Sequence, residues 1–511
     1  MLTSVYKHLA DCPERLFSLA GAAVIIYFIS SAIYEIYFSP LAKIPGPWYI
    51  RVSRFWLISR VATARVATDI ESLHEHYGPY VRIGPNEVSI SDIESVKKIH
   101  SVHDPYLKSR LYKKLGNGLS SLFFIVDPEA YKHRRMAYGN AFSKSNLSLM
   151  EPVVRKYVNT CVRKIKQDID NKGITDMMKW IQAMSTDIIG EISYGQELGM
   201  LESENFNSVL QDAVTYTIII AIRGHFPLWR ALESIITHIP HPKVQHTFGC
   251  ERRILAYGAD ILENLQPNVQ NGKNGKTQQS LFSKILANSK NSRIKHKMTI
   301  NEIKQEALLV LIAGSHTITI VGTYICWAIF KRRDIRRKLE TEFSTLNKDV
   351  TDEKLQKLPY FSQVLKEALR LYPAGQIPAP RVVPGGTGGR QLGEYFFPSG
   401  TEVLTPIYTI QRDRTIFPDP HSLKPERWNN PTKEMEAAIL TFGGASRPCI
   451  GQQLAMMELR LLVATLLQSC ADVELADSCT DESMEFVEYM SVRPKANKCE
   501  LRRRTTEKVS D

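Results

Sequence analysis

The stretch Phe442-Gly-Gly-Ala-Ser-Arg-Pro-Cys-Ile-Gly451 places one cysteine, Cys449, in a loop of small residues. The apolar-rich segment Gln452–Arg460 that follows predicts a helix beginning just after this loop. The start of a helix offers unpaired backbone N–H groups and the positive end of the helix dipole. Both favour a thiolate, so we expect a lowered pKa for this cysteine.

The residues around Cys449 suit a large, flat ligand. Gly443, Gly444 and Gly451 permit tight turns and the close approach of a ligand plane. Arg447 can bind an anionic group beside the sulfur. A thiolate in this setting suits the axial ligand of haem iron, while the alternative is a buried, inert cysteine in a glycine-rich turn.

Composition limits the class of protein. The 511 residues are 43% apolar and 23% charged, with a net charge of +12, and the length allows about three average domains or one large one. The eight cysteines include no CxxC pair, so the sequence signals neither a zinc knuckle nor a disulfide framework and indicates a reducing, intracellular setting. The basic residues are dispersed without a nucleic-acid-binding signature, which favours a membrane surface or an acidic partner protein.

The N-terminal region predicts a membrane anchor. Leu16–Tyr34 is a nearly uncharged apolar run of 19 residues, about the length needed to cross a bilayer. Lysine and arginine are in excess after it, which places the bulk of the chain on the cytoplasmic side; a long signal peptide is the alternative. Ile44-Pro-Gly-Pro47 predicts a stiff elbow. We divide the chain into a luminal tail (1–15), a transmembrane anchor (16–38), a proline-rich hinge (39–50) and a catalytic body (51–511).

Helical spacing dominates the body, with β-rich pieces near Tyr80–Ile90 and Glu394–Ile407. The polar segment Gln266–Lys297, with two Asn-Gly pairs, predicts a loop region interrupted by the short apolar piece Leu281–Leu286. We expect a mostly helical single domain with a minor sheet portion.

A capping box, Thr299-Ile-Asn-Glu302, starts an unusual helix, and Ala307–Phe330 is apolar almost all round. The helix could be a second membrane span or the central helix of a large core. Polar residues in its middle are costly on an isolated membrane helix, so they favour the core helix. Within it, Ala313-Gly314 would let a flat, bulky group approach the backbone.

The cysteine loop resembles that of the cytochrome P450 family, of pattern FGxGxRxCxG, with Ala445 where the family usually has glycine. Glu367-Ala-Leu-Arg370 matches the family's ExxR, and a Pro-Glu-Arg427-Trp motif begins 55 residues after Arg370. The resemblance implies that Glu367, Arg370 and Arg427 form a buried network that holds the cysteine loop. On its own, an ExxR pair is more typical of a solvated helix face.

The long helix carries Ala313-Gly-Ser-His316-Thr317, which resembles the family's oxygen-activating AGx(D/E)T segment. The resemblance implies that the Thr317 hydroxyl positions dioxygen and water for proton delivery. His316 stands at the family's acidic position. Histidine can relay protons at neutral pH; the alternative is a residue that faces solvent or a haem propionate.

Further residues match the family's cofactor contacts. Tyr131-Lys-His-Arg-Arg135 resembles the WxxxR region of the propionate-binding helix, with Tyr131 in place of tryptophan or histidine, and Arg381 resembles the strand arginine that meets the other propionate. The alternative for each arginine is an ordinary surface cation. The cofactor contacts implied by the resemblance are Cys449 as the iron ligand, with Arg447, Arg135, Tyr131, Arg381, Phe442, Gly443 and Gly451.

The resemblance covers essentially the whole chain and is strongest to membrane-bound fungal members. It implies a mainly α cytochrome P450 fold with a minor β-sheet region, preceded by one transmembrane helix. It implies a haem-thiolate monooxygenase with haem b between the long helix and the Cys449 loop and with O2 as co-substrate. No GxGxxG fingerprint opens a βαβ unit, so electrons should come from NADPH through a separate flavin reductase, at the endoplasmic reticulum membrane with the body facing the cytosol.

The substrate is predicted only as a class. By analogy, the pocket walls are expected around Tyr106–Phe124, Leu309–Thr317, Ala374–Ile377 and Phe486–Tyr489, which are largely apolar. They favour a lipophilic molecule, for which the resemblance suggests a fungal terpenoid or polyketide intermediate. Three alternatives remain: a haem-thiolate isomerase or dehydratase without a reductase, a non-enzymatic haem-binding protein, and a multi-span membrane protein.

Overall fold

The computed structural model of the protein describes residues 13–139, 142, 144–203, 208–226, 229–271, 280–290, 297–346, 350–376, 380–386 and 388–504. Helices account for most of them. The α-helices are α1 (Pro13–Ile33), α2 (Trp48–Val52), α3 (Phe55–Ala62), α4 (Val66–Tyr77), α5 (Ile93–Ile99), α6 (Arg110–Gly116), α7 (Pro128–Tyr138), α8 (Lys144–Lys172), α9 (Met177–Ile189), α10 (Ser208–His225), α11 (Trp229–Ile236), α12 (Pro242–Phe248), α13 (Cys250–Asn271), α14 (Leu281–Lys290), α15 (Ile300–Lys331), α16 (Arg333–Ser344), α17 (Asp352–Gln356), α18 (Pro359–Leu371), α19 (Ile407–Ile410), α20 (Lys433–Ala438) and α21 (Gln452–Ser469). Short π-helical segments span Tyr34–Phe38 and Gly190–Tyr194, and a 3-10 turn spans Pro425–Trp428.

The strands form small sheets. They are β1 (Tyr80–Gly84), β2 (Glu87–Ile90), β3 (Leu107–Lys108), β4 (Ile174–Asp176), β5 (Arg381–Val382), β6 (Gly389–Leu392), β7 (Tyr395–Pro398), β8 (Glu402–Leu404), β9 (Val473–Leu475), β10 (Phe486–Glu488), β11 (Val492–Pro494) and β12 (Glu500–Arg503). The largest sheet has the order β1-β2-β8-β5-β3, in which β2 and β8 are parallel and the other neighbours antiparallel. The predicted β-rich pieces near Tyr80–Ile90 and Glu394–Ile407 are confirmed.

Helix α15 lies in the core. Its capping box is present, because the Thr299 hydroxyl accepts the Glu302 N–H and the Glu302 carboxylate accepts the Thr299 N–H. Its apolar part is two-thirds buried and packs against α9, α13 and α21, as the core-helix interpretation predicts. Gly314 serves this packing, since a Cβ there would lie 2.5 Å from Cδ1 of Ile189 on α9. Its small size therefore admits a neighbouring helix, whereas Ala313 beside it lines a cavity. That the Ala313-Gly314 pair admits a flat ligand stays a prediction.

In its described part, the polar segment Gln266–Lys297 contains more helix than the loop region that its composition predicts. Helix α13 continues to Asn271, and α14 covers Leu281–Lys290. The apolar residues of α14 are buried in the main core, so tertiary packing outweighs the weak local propensity. Residues 272–279 and 291–296 lie outside the described part of the chain.

The N-terminal helix is exposed along its length, and the hinge after it is packed. Phe17–Phe38 is long and apolar enough to cross a membrane, and none of it is buried. Leu41 and Ile44 of the predicted hinge are buried with β2 and β8. The fully buried Arg82 on β1 donates to the backbone oxygen and the carboxylate of Glu35. The elbow is thus fixed to the sheet, while residues 1–12 of the predicted luminal tail lie outside the described residues.

Candidate active site

The cysteine loop is a tight turn that ends at the start of α21. The Cys449 N–H donates to the Phe442 carbonyl oxygen at 2.8 Å, and Gly443 has a φ of +79° that favours glycine. The backbone N–H groups of Gly451 and Gln452 donate to the Cys449 sulfur. The predicted contact between the sulfur and the helix start is therefore confirmed.

The lowered pKa that the sequence predicts for Cys449 is wrong for the protein alone. Cys449 as a residue is exposed, but burial of its thiol by the surrounding protein raises the pKa of that thiol and outweighs the N–H groups of Gly451 and Gln452. The cationic contribution that opposes this rise comes from Arg135. A bound cation would deprotonate such a thiol directly, so the site suits a metal ligand better than a free thiolate.

Two small residues of the loop have different roles. A Cβ on Gly444 would lie 2.3 Å from the His100 ring, and the Ser446 N–H donates to the His100 carbonyl oxygen at 3.0 Å. Glycine is therefore needed at position 444, because a larger residue would collide with His100, which directly follows α5. Ala445 is exposed and its φ lies outside the left-handed region, so the methyl group at this position introduces no backbone strain.

A buried carboxylate organises the residues behind the loop. Glu367 on α18 accepts from Arg370 at 2.9 and 2.7 Å, from Arg427 at 2.8 Å and from the Trp428 indole at 2.9 Å. The side chains of Glu367 and Arg370 are fully buried. We call Glu367, Arg370 and Arg427 the carboxylate network; its geometry is the one that the resemblance implies.

Gln411 connects this network to the cysteine loop. Arg370 donates to the Gln411 carbonyl oxygen at 2.6 Å, and the Gln411 amide donates back to the Arg370 carbonyl oxygen at 2.6 Å. The Gln411 side-chain oxygen accepts from the Leu440 N–H at 2.9 Å and from the Thr441 hydroxyl at 3.1 Å. Sequence reasoning missed Gln411, because a glutamine before Arg-Asp belongs to no recognisable motif.

The cations predicted for cofactor binding form a group without counter-charges. Arg135 Nη1, Arg381 Nε and Arg447 Nη1 are buried and have no hydrogen-bond partner, and none of the three forms an ion pair with a described residue. Lys108 on β3 joins them: its Nζ donates to the Phe123 carbonyl oxygen at 2.5 Å. Burial and the charges of Arg447 and Arg381 hold the pKa of Lys108 well below its usual value. Sequence reasoning missed Lys108, because no motif around it distinguishes it from an ordinary surface lysine.

The Tyr131 ring packs against Arg447. Its ring centroid lies 3.5 Å from the Arg447 guanidinium carbon, so the ring supports the cation through a cation–π contact. The predicted propionate contact of its phenol stays a prediction.

These residues fit the haem that the sequence resemblance implies. Buried N–H groups of guanidinium side chains without acceptors are costly. The four cations Arg135, Arg381, Arg447 and Lys108, which we call the cation group, form no ion pair with a described acid, although the charge of Asp127 acts on Arg447. Two carboxylates of an otherwise apolar ligand would supply both the acceptors and the charge. Cys449 lies within range of the Arg135 charge, so one ligand with anionic groups and a metal could meet both features.

A cavity of about 250 Å³ lies along α15. As predicted, the segments 119–124, 309–317 and 374–375 contribute to its wall, while residue 377 of the predicted wall lies outside the described residues. Met490 and Ser491 line it instead of Phe486, which packs against Tyr324 and Tyr372. Helix α10 adds Tyr216, which the sequence interpretation missed.

Thr317 and His316 both line this cavity. The Thr317 hydroxyl donates to the Ala313 carbonyl oxygen at 2.8 Å. His316 Nε2 lies 2.9 Å from the Ser491 hydroxyl. Burial, with a smaller effect of the Arg493 charge, lowers the pKa of His316 to about 4. His316 is therefore neutral at pH 7 and is buried rather than solvent-facing.

Comparison with known proteins identifies relatives over most of the chain. The sequence model of the family Cytochrome P450 matches residues 43–499. Cytochrome P450 monooxygenase tazI of Aspergillus terreus is 33% identical over 484 residues, which cover 94% of this chain and 97% of that protein. Cytochrome P450 monooxygenase stcB of Emericella nidulans is 31% identical, over 93% of this chain and 90% of that protein. The structure of retinoic acid bound cyanobacterial CYP120A1 has the same fold, with a TM-score of 0.66 and 21% identity over 84% of this chain and 93% of that chain.

Proposed function

The chain belongs to the cytochrome P450 family, and on that premise we propose that it is a membrane-anchored haem-thiolate monooxygenase that inserts one oxygen atom of O2 into a lipophilic small molecule. The observation that carries the proposal is the joint presence of Cys449 at the start of α21 and a buried cation group without counter-charges. The fungal relatives named as monooxygenases support an oxidation in fungal secondary metabolism, of a terpenoid or polyketide intermediate.

We assign the cofactor contacts as follows. Haem b would be held by Cys449 as iron ligand, and its propionates by Arg135, Arg381 and Arg447, with Tyr131 behind Arg447. Phe442, Gly443 and Gly451 shape the loop beside the ring, and the carboxylate network fixes the loop from behind through Gln411. When bound, haem supplies the oxygen-activating redox chemistry, and the protein supplies ligation, orientation and protons.

Thr317 and His316 are proposed to act on protons. The Thr317 hydroxyl is on the cavity wall and can accept a hydrogen bond from a water molecule while its own hydrogen stays bonded to the Ala313 carbonyl oxygen, so it can hold that water in position. A neutral His316 can pass a proton between Ser491 and the cavity only by exchanging its ring N–H. The proposed relay therefore runs through the neutral imidazole.

Electrons and location complete the proposal. The helix at Phe17–Phe38 would anchor the chain in the endoplasmic reticulum membrane, with the body at 51–511 facing the cytosol and the tail at 1–15 in the lumen. NADPH would act through a separate flavin reductase in the same membrane. Protease added to intact microsomes should digest the body and spare the anchor; a fully protected body would place it in the lumen.

The carbon-monoxide complex of the reduced protein tests the ligand assignment. We expect the red-shifted Soret band of thiolate ligation, and we expect Cys449→Ser to abolish it. Cys470→Ser is the matched control, because Cys470 is buried away from the loop among core residues. Persistence of the band in Cys449→Ser would refute the assignment.

Product yield per electron tests the proton roles. Thr317→Ala should retain haem and substrate binding but divert reducing equivalents to hydrogen peroxide, with a loss of product toward the low end of the roughly 10²–10⁴-fold range of acid–base assistance. His316→Ala should show the same uncoupling if His316 relays the proton, and His316→Asp should largely restore coupling. Unchanged coupling in His316→Ala would leave His316 as a packing residue beside Ser491.

A further inference from the structure

The wall of the cavity along α15 contains two hydroxyl groups without partners. Tyr216 on α10 and Ser121 are 4% and 1% exposed, and neither hydroxyl has a hydrogen-bond partner. Other polar groups of the same wall are paired: Thr217 donates to the Val214 carbonyl oxygen at 2.7 Å, and His316 binds Ser491 at 2.9 Å. Two buried, unpaired hydroxyls in one otherwise paired wall are unusual, because such groups cost free energy.

The segment that carries Ser121 is fixed to α15. The Ser120 N–H donates to the Gln305 side-chain oxygen at 2.6 Å, and the Leu122 N–H donates to the Glu306 carboxylate at 2.6 Å. Ser121 lies between these two anchors, so its position relative to the cavity is set by the central helix. The backbone at Ser121 is therefore preorganised, which lowers the cost of ordering this residue when a ligand binds.

The rest of the wall restricts the ligand to a neutral molecule. The described residues that line the cavity include no Asp, Glu, Lys or Arg, and His316 is neutral because burial lowers its pKa to about 4. Burial also raises the pKa of Tyr216, so its phenol remains a hydrogen-bond donor throughout the physiological range. The volume of about 250 Å³ is at the small end for ligand sites.

We propose that the substrate is a compact, neutral, largely apolar molecule with an acceptor oxygen, a carbonyl or hydroxyl, that the hydroxyls of Tyr216 and Ser121 bind. This inference rests on the proposed function, for which it names the substrate class. The two donors would fix which end of the molecule lies away from Thr317 and so select the position that reacts.

A matched pair of rigid probes tests the proposal on the full-length holoprotein in lipid nanodiscs. 9-Fluorenone and fluorene share a ring skeleton and differ by the carbonyl group, and calorimetric titration gives the dissociation constant of each. We expect Tyr216→Phe and Ser121→Ala each to weaken fluorenone binding by about 3- to 10-fold, the value of one neutral hydrogen bond. Fluorene binding should change less than about twofold, because apolar contacts remain.

Thr217→Val is the control, since it removes a hydroxyl of the same wall that is already paired; it should leave the affinity for both probes unchanged. Tyr216→Phe should not lower the melting temperature, because the hydroxyl it removes has no partner. The proposal is overturned if fluorenone does not bind, if neither variant weakens its binding, or if fluorene is weakened equally. Binding is measured without a reductase, so correct binding without oxygenated product would refute the proposed reaction and leave this inference intact.

Discussion

The carboxylate network and the cation group both adjoin the cysteine loop, and they differ in how their charges are balanced. In the carboxylate network, Glu367 accepts from both Arg370 and Arg427, and every contact is between 2.7 and 2.9 Å. In the cation group, Arg381 and Arg447 each keep a buried N–H without an acceptor. The first set is complete within the protein, whereas the second set requires an anion.

This difference separates groups that stabilise the fold from groups that bind a ligand. A complete buried ion network is destabilised when one partner is removed, because the remaining charges lose their compensation. In an incomplete network the buried charges already lack partners. Removing one of them should therefore raise the stability of the ligand-free protein and weaken only ligand binding. Substitutions in the two sets should therefore change the stability of the haem-free protein in opposite directions.

Glu367→Gln should have the largest effect. It keeps the shape of the side chain but leaves Arg370 and Arg427 buried without a counter-charge, which costs about 3–5 kcal/mol of unfolding free energy. Urea unfolding followed by circular dichroism, together with haem content after purification, measures the loss. We expect little haem-loaded protein, because the network also supports the loop through Gln411.

Glu436→Gln is the control for this prediction. Glu436 pairs with Lys366, which lies on α18 next to Glu367, but both side chains of this pair are substantially exposed. The unfolding free energy should therefore change by at most about 1 kcal/mol. If Glu367→Gln were as stable as Glu436→Gln, the network would not be a stabilising unit and the comparison would fail.

Arg381→Met should act in the opposite direction. The haem-free protein should gain about 1–3 kcal/mol, because a buried guanidinium is removed whose Nε–H has no acceptor and whose only hydrogen bond to a described residue is the long one from Nη1 to the Tyr106 carbonyl oxygen, at 3.5 Å. The haem should dissociate faster, because one of its proposed carboxylate contacts is lost. Chemical unfolding of the haem-free protein and transfer of haem to an excess of apomyoglobin measure the two effects.

Arg390→Met provides the matched control for Arg381→Met. Arg390 is paired with Asp104 at 2.7 Å and lies nearer the surface, so its loss should not stabilise the haem-free protein and should leave haem transfer unchanged. A destabilised haem-free Arg381→Met protein would show that Arg381 is a structural cation.

The carboxylate network was easier to predict from the sequence than the cation group, for physical reasons. Glu367 and Arg370 are three residues apart on one helix, so their contact is local, and the family motif supplied Arg427. Lys108 enters the cation group only through the pairing of β3 with β5, a long-range contact that no local pattern encodes. The thiol pKa of Cys449 was wrongly predicted because the helix start is visible in the sequence, whereas burial, the larger effect, is not.

Thr441→Val tests whether the network reaches the cysteine loop. The Thr441 hydroxyl donates to the Leu369 carbonyl oxygen at 2.8 Å and lies 3.1 Å from the Gln411 side-chain oxygen. Loss of these contacts should cost about 1 kcal/mol, measured by urea unfolding of the haem-free protein. The haem-transfer rate should rise as well, because the loop that carries Cys449 begins at the next residue. An unchanged transfer rate would mean that the loop is positioned by His100 and Ser446 alone.

The smallest expected effect concerns pH and His100, which contacts the cysteine loop at Gly444 and Ser446 and lies within range of the Arg381 charge. Burial, and then the charge of Arg381, lower the pKa of His100 to about 4, below its usual value of about 6.5 in the unfolded chain. Above pH 6.5 the imidazole is neutral in both states, and its contribution to stability is complete. As the pH falls toward 4, the unfolded chain binds a proton that the folded protein does not, so stability is lost; the full shift corresponds to about 3 kcal/mol.

Arg381→Met should remove only the smaller, electrostatic part of the pKa shift of His100. The stability of the haem-free variant should therefore fall slightly less between pH 6.5 and 4.5 than that of the unsubstituted protein. Urea midpoints at the two pH values measure the difference, with Arg390→Met as control. An equal loss in Arg381→Met would mean that Arg381 does not act on His100 and that burial alone keeps the imidazole neutral.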